Sequence, residues 1–90
     1  MIDESAIPRF RAGVKFRFDA VRQAWVVLAP ERLFLPDEIA VEILKRVDGA
    51  RTTAQIVDDL AVAFAAPREV IAADVDAMLR SLSDRGAISL

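Results

Sequence analysis

The sequence predicts an α+β fold, in which a short antiparallel three-stranded sheet is followed by a three-helix bundle. Three observations support this fold class. Apolar and polar residues alternate over 14–19, an apolar run over 24–29 ends at Pro30, and apolar residues recur at helical spacing from 39 to 82. A chain of 90 residues is long enough for one domain with a thin core. We therefore expect one domain over residues 13–90 and an N-terminal arm over residues 1–12.

The N-terminal arm shows no apolar periodicity and contains Pro8. We expect it to be flexible and to lie along the body of the domain or along a second copy of the chain. Because it carries Asp3 and Glu4 and no apolar run, it is unlike a signal peptide or a membrane span.

The three predicted strands differ in their apolar faces. The first has an apolar face and a polar face, formed by Val14, Phe16 and Phe18 against Lys15, Arg17 and Asp19. The second, over 24–29, is apolar on both faces and includes Trp25, which favours the middle of the sheet. The third, Leu33 to Leu35, lies between Pro30 and Pro36. It is therefore expected to be a short apolar edge.

Capping signals define the three helices. Asp37 is a suitable N-cap for the first, and Gly49 suits its C-terminal cap. The second opens with a capping box at 52–55, and the third starts at Pro67 and ends before Gly86. The apolar faces of the first two helices are expected to be core. They consist of Ile39, Ala40, Ile43, Leu44 and Val47 in the first helix and Ile56, Val57, Leu60, Ala61 and Phe64 in the second.

The third helix has an unusually wide apolar stripe, which is formed by Val70, Ile71, Val75, Met78, Leu79 and Leu82. At about 100° per residue these side chains cover nearly half of the helix circumference. This is more than a thin sheet or a helix pair would bury. We expect part of the stripe to contact a partner, with Leu79 at one margin and partly exposed.

The composition removes most catalytic chemistry. Since there is no His, Cys or Tyr, the usual proton shuttle, thiolate and metal ligands are missing, and we predict no bound metal, flavin or other cofactor. Paired acids such as Asp58 and Asp59 fall on predicted helix surfaces, where solvation is a commoner role than acid–base catalysis. A chain without cysteine also suits a reducing cytoplasm.

A hairpin with three helices has the outline of a winged helix, a fold that often reads DNA. The third helix, which would be the recognition helix, carries Arg68, Arg80 and Arg85 against Glu69, Asp74, Asp76 and Asp84. This helix has a net charge of −1 and would be repelled by phosphates. The basic residues lie instead in the arm and the strands, where residues 1–35 carry six basic against four acidic side chains. We expect no nucleic-acid partner.

Two sequence elements resemble the PqqD family of pyrroloquinoline quinone (PQQ) biosynthesis. They are Leu28-Ala29-Pro30-Glu31-Arg32 and Asp48-Gly49-Ala50-Arg51-Thr52, in the order and spacing of that family, within a resemblance spread over residues 8–88. The resemblance implies a winged-helix peptide chaperone, or recognition element for ribosomally made peptides. Such a protein holds a precursor peptide (PqqA) and presents it to a radical S-adenosylmethionine (radical SAM) enzyme (PqqE).

The resemblance also implies a site. In the family the peptide adds as a strand to the third strand and packs on the third helix. The corresponding residues here are Arg32, Leu33, Phe34, Leu35, Asp76, Leu79, Leu82 and Ser83. The basic side chains of Lys15, Arg17 and Arg32 would favour an acidic peptide. In the free protein the arm or a second copy could occupy the same edge, which leaves a homodimer by strand or arm exchange open.

The leading hypothesis is thus a non-enzymatic peptide chaperone that acts in the cytoplasm. A winged-helix DNA-binding regulator is the alternative, and a stand-alone enzyme is third.

Overall fold

The computed structural model describes residues 2–90 and contains eight elements. Five are strands: β1 (Arg9–Phe10), β2 (Lys15–Asp19), β3 (Ala24–Ala29), β4 (Arg32–Phe34) and β5 (Ile88–Ser89). Three are helices: α1 (Glu38–Leu44), α2 (Thr53–Ala63) and α3 (Arg68–Asp84). The predicted α+β class is confirmed, with a three-stranded antiparallel sheet in the order β2-β3-β4 followed by the three helices. A second, two-stranded sheet pairs β1 with β5.

The central strand β3 holds the sheet to the helices. Val27 is fully buried and lies opposite Phe16 of β2 and Phe34 of β4, so that one face of all three strands turns to the core. Phe16 also stacks on Trp25, with ring centroids 4.8 Å apart. The next strand follows after a two-residue turn at Pro30 and Glu31, and the backbone of Glu31 has a φ of 63°. This tight turn fixes the register of β4.

Helix α1 is shorter than predicted. The N-cap prediction holds, since the Asp37 carboxylate accepts a hydrogen bond of 2.8 Å from the N–H of Ala40. The α-helix ends at Leu44, and the chain then continues in tighter turns, with the N–H of Arg46 bonded to the carbonyl of Ile43. Gly49, predicted as the cap, therefore lies beyond the helix end, where its φ of 76° serves the following turn.

Helices α2 and α3 form the larger part of the core. Thr52 and Gln55 make the predicted capping box, in which each side chain bonds the backbone N–H of the other residue. The buried apolar side chains of the core cluster come from all three helices, from β3, from the C-terminal strand and from the segments after α1 and before β5: Val27, Ile43, Leu44, Val47, Ile56, Val57, Leu60, Ile71, Val75, Leu79, Leu82, Ala87 and Ile88.

The N-terminal segment differs from the loose arm that was expected, because residues 2–12 lie against the body of the same chain. Pro8 is fully buried, and β1 pairs with β5. The carbonyl of Ala6 accepts hydrogen bonds from both the backbone N–H and the hydroxyl of Thr53, at 2.8 and 3.0 Å. These bonds satisfy a donor at the start of α2 that the helix itself leaves free. Residue 13 therefore does not separate a detached arm from a folded domain.

Two carboxylates tie this segment to the helices. Glu4 accepts a hydrogen bond of 2.6 Å from Arg68, which lowers the pKa of Glu4, and Asp76 accepts one of 2.6 Å from the N–H of Ile2, which lowers the pKa of Asp76. In each case the folded-state pKa lies below that of the unfolded chain. The resulting stabilisation is complete above the unfolded values, about 3.9 for Asp and 4.3 for Glu, and is lost as the pH falls through the folded values.

We therefore expect the free energy of unfolding to fall as the pH is lowered from 6 towards 2.5. In Asp76→Asn the amide oxygen can still accept the hydrogen bond from Ile2, but it does not titrate. The free energy of unfolding of this variant should therefore fall less between pH 5 and 2.5 than that of the parent protein. Urea unfolding followed by circular dichroism at each pH measures both. An Asp76→Asn variant with the pH dependence of the parent would contradict this assignment. Asp74→Asn serves as the control, because Asp74 makes no ion pair within residues 2–90.

No helix within residues 2–90 is both long and apolar enough to cross a lipid bilayer.

Candidate functional site

The outer edge of β4 is an unpaired strand edge. In the sheet order β2-β3-β4, no strand within residues 2–90 pairs with it. Ala29 and Arg32 lie opposite each other across the two-residue turn. The pair that flanks such a turn is hydrogen-bonded, and hydrogen-bonded and non-hydrogen-bonded pairs alternate along an antiparallel ladder. The next pair, Leu28 and Leu33, is therefore not hydrogen-bonded, and the N–H and C=O of Leu33 point away from β3. Such an edge is a ready template for another extended chain.

An apolar groove of about 450 Å³ opens beside this edge. One wall is the end of β4 with the residues that follow it, and the other is the C-terminal half of α3. Apolar side chains from both walls line the groove, with Val27 and Leu44 between them: Leu33, Phe34, Leu35, Pro36, Met78 and Leu82. Leu33 and Leu35 are 41% and 64% exposed. Their exposure leaves apolar surface for a partner to cover.

The groove continues along α3 towards the middle of the helix. A second depression, of about 360 Å³, shares Asp37, Ala40, Met78 and Ser81 with the first. It extends the wall of α3 as far as Asp74. The two depressions therefore form one surface, which we call the β4–α3 groove.

At the other end of the β4–α3 groove a cation lies over an aromatic ring. The guanidinium carbon of Arg85 is 5.7 Å from the ring centroid of Phe34. Arg32 lies two residues before Phe34 on β4, so both side chains project from the same face of the strand. The two arginines make this end of the groove positive.

Four of the eight residues predicted for the site line the groove. They are Leu33, Phe34, Leu35 and Leu82. A fifth, Arg32, is exposed at the start of the same strand but does not line the groove itself.

The other three predicted residues, all on α3, do not face the groove. Leu79 is fully buried, so the expectation that it is partly exposed is wrong. Asp76 bonds the N–H of Ile2 in the N-terminal segment. At about 100° per residue, Asp76 and Ser83 lie roughly 140–160° around the helix from Met78. The apolar stripe indicated that α3 has a partner face, but it did not indicate which margin adjoins β4.

Apart from Leu82, sequence reasoning missed the residues of α3 and its C-terminal cap that line the groove. Met78, Ser81 and Arg85 follow one another at spacings of three and four residues, which places them on one stripe of the helix. Met78 was assigned to the apolar stripe, but Ser81 and Arg85 carry no apolar signal. Their helical spacing from Met78 was the one feature of the sequence that could have indicated that Ser81 and Arg85 line the groove.

A second concave surface lies on the other side of α1. It measures about 680 Å³ and is lined by Phe18, Trp25, Ile39, Val41 and Phe64, with Glu38, Glu42 and Lys45 at its rim. Lys45 is held between Glu42 and the face of Trp25, at 3.2 Å from the carboxylate and 5.2 Å from the ring centroid. Although larger, this cleft contacts the outer strand β2 only at Phe18, whereas the β4–α3 groove is lined by the consecutive residues Leu33, Phe34 and Leu35 of the β4 edge. We therefore regard the β4–α3 groove as the better candidate site.

Within residues 2–90 no group of three or more acidic side chains is placed to hold a metal ion.

Comparison with known proteins identifies the family. The family model for coenzyme PQQ synthesis protein D (PqqD) matches residues 24–88, from β3 to the C-terminal strand. The chain belongs to the PqqD family. A PqqA binding protein of Rhodopseudomonas palustris (strain HaA2) is 50% identical over 88 residues, which are 98% of this chain and 86% of that protein. One of Gluconobacter oxydans is 39% identical over 88 residues, covering 98% of this chain and 92% of that protein.

Two solved PqqD structures resemble this one. The solution NMR structure of the PqqD truncation of Methylobacterium extorquens PqqCD has a TM-score of 0.84 at 40% identity and covers 100% of this chain and 96% of that chain. That protein is described as a functional, stand-alone recognition element for ribosomally synthesised and post-translationally modified peptides. The crystal structure of PqqD from Xanthomonas campestris has a TM-score of 0.59 at 38% identity, with 94% of each chain covered. The winged-helix-like PqqD fold therefore extends over the whole chain.

Proposed function

We propose that this chain is a peptide chaperone of PQQ biosynthesis that binds the precursor peptide PqqA in the β4–α3 groove. The observation that carries the proposal is the unpaired edge of β4 beside an apolar groove. Its relatives in Rhodopseudomonas palustris and Gluconobacter oxydans are PqqA binding proteins, and the PqqD domain of Methylobacterium extorquens is a recognition element for such peptides.

The peptide binds by adding a strand to β4. Its backbone exchanges hydrogen bonds with the outward N–H and C=O of Leu33, and alternate side chains enter the groove against Met78 and Leu82. Main-chain bonds supply affinity in this mode, and side-chain pockets supply selectivity. Burying about 500 Å² of apolar surface would contribute about 12 kcal/mol before the costs of association and peptide ordering. The net affinity is moderate, as suits a carrier that must release its cargo.

The carrier role extends to a second partner. We propose that the chain holds PqqA for a radical SAM enzyme of the same pathway and performs no reaction itself. The lack of His, Cys and Tyr supports this role, because these residues supply most proton-transfer and nucleophilic chemistry. We also propose that the chain acts in the cytoplasm, where ribosomally made precursors are released.

DNA binding is the weaker alternative. The groove-facing stripe of α3 carries Asp74 beside Met78 and Ser81, and Arg85 is its one basic residue. A helix inserted into a DNA groove needs several phosphate contacts from Lys or Arg. Exchange of strands between two copies would use the same free edge of β4 and would compete with the peptide.

An NMR titration tests the proposed function. Isotope-labelled protein is titrated with synthetic PqqA of Rhodopseudomonas palustris. We expect the largest amide shifts at Leu33 to Leu35 and at Met78 to Arg85, because these residues line the groove. Exposed Val62 on α2 should remain unchanged. Shifts confined to Phe18, Ile39 and Phe64 would place the peptide in the second cleft and contradict the assignment.

A further inference from the structure

The two ends of the β4–α3 groove carry opposite charges. One end has Arg85 over the ring of Phe34, with Arg32 on the same face of β4. The other end has Asp74 on α3, which lines only the depression that continues the groove, while Asp37 at the start of α1 lines both depressions and lies between the ends. The long axis of the groove therefore runs from a positive end to a negative end.

These charges are not neutralised by ion pairs within residues 2–90. The ion pairs of α3 use other side chains, such as Arg80 with Asp76 and Arg68 with Glu4. The Asp37 carboxylate bonds the N–H of Ala40, which caps the helix but supplies no full positive charge. Glu31 is exposed in the turn before β4, and Asp84 is turned about 100° around α3 from Arg85. A bound peptide would thus meet charges that lack an ionic partner.

The distance between the ends matches a short extended segment. Arg85, the C-cap of α3, lies eleven residues after Asp74, a rise of about 16 Å along the helix axis. An extended strand covers that distance in about five residues, at about 3.3 Å per residue. Because alternate side chains of a strand point to the same face, two side chains that both enter the groove must be an even number of residues apart. A spacing of four residues, about 13 Å, leaves the remaining distance to the long Glu and Lys side chains.

We infer that the groove selects a peptide segment with an acidic side chain at the Arg85 end and a basic side chain four residues away at the Asp74 end. The inference rests on the proposed function and adds to it the charge pattern that the bound segment must carry. Because the ends differ in sign, the charges also favour one direction of the peptide strand over the other.

Three synthetic peptides test the charge pattern. They share one nine-residue host of alternating Val and Thr and differ at two positions four residues apart, which lie on one face of the strand and hold Glu and Lys, Glu and Glu, or Lys and Lys. The wild-type protein should bind the mixed peptide about three- to five-fold more tightly than either of the others, as expected for partly exposed charge pairs. Asp74→Lys should prefer the Glu–Glu peptide, and Arg85→Glu should prefer the Lys–Lys peptide. Each preference should shrink in 0.5 M salt, which screens charges over a few ångströms.

Calorimetry gives the dissociation constants, and circular dichroism confirms that each variant is folded. Arg85→Gln repeats the test without reversing the charge and should abolish the preference at that end only. Equal affinities of the three peptides for the wild-type protein would overturn the inference.

PqqA of Rhodopseudomonas palustris, measured in parallel, separates the two proposals. If PqqA binds but the short peptides show no preference, the charge inference fails and the proposed function stands. A charge preference without PqqA binding would leave the groove selective but would refute the proposed function. Absence of all binding would refute both.

Discussion

Replacing Leu79 with aspartate is expected to unfold the protein. The Leu79 side chain is fully buried among the core residues of α3. Truncating such a leucine to alanine costs about 2–5 kcal/mol, and a buried unpaired carboxylate adds several more. Small domains are stable by only about 5–15 kcal/mol, so Leu79→Asp should lose the circular dichroism spectrum of the folded protein. Leu79→Ala should stay folded, with a lower midpoint of thermal unfolding.

Ala73→Asp is the matched control for Leu79→Asp. Ala73 lies on the same helix, is exposed and lines neither wall of the β4–α3 groove. Its variant should therefore melt within a few degrees of the parent. A folded Leu79→Asp protein that had only lost peptide binding would restore the original interpretation of Leu79 as a groove residue.

Replacing Leu33 with proline is expected to abolish PqqA binding while the domain stays folded. The N–H of Leu33 faces away from β3, so proline removes a donor that only an added strand would use. Proline is tolerated on the outer side of an edge strand. The ring also blocks the approach of the incoming backbone. We expect the dissociation constant to rise at least about 30-fold, which corresponds to about 2 kcal/mol.

Leu33→Ala separates the backbone effect from the side-chain effect. It removes the same apolar side chain but keeps the N–H, and should weaken binding by only about three- to ten-fold. Calorimetry with synthetic PqqA and thermal melts of both variants supply the comparison. If the proline and alanine variants bind equally, the peptide does not pair with β4, and binding depends on side chains alone.

The sequence was sufficient to predict the class and order of the main elements, because their signals are local. Strict alternation around Phe16, the prolines at 30 and 36 and the capping box at Thr52 each act over a few residues. The short strands β1 and β5 were not predicted. A strand of two residues has no measurable period, and its pairing depends on a partner some 80 positions away in the chain.

The candidate site was predicted mainly on its strand side, and on α3 only Leu82 was assigned to it correctly. Leu33 to Leu35 are bounded by prolines, which identify a short edge from sequence alone. The helix side required the rotation of α3 about its own axis, which is set by packing against α2 and the sheet. A wide apolar stripe leaves that angle undetermined. For this reason Leu79 and Asp76 were assigned to the groove in place of Met78 and Arg85.

The pairing of β1 with β5 has a consequence for the order of folding. Arg9 and Ser89 are opposite each other in the register, so their contact closes a loop that includes nearly the whole chain. Closing a long loop costs chain entropy before any contact is gained, whereas the hairpin of β3 and β4 closes over two residues. We therefore expect the hairpin and the α2–α3 pair to form first and the terminal strands to join last. The same strands should be the first to exchange their amide hydrogens in the native state, so the molecule should loosen from its ends while the β4–α3 groove remains intact.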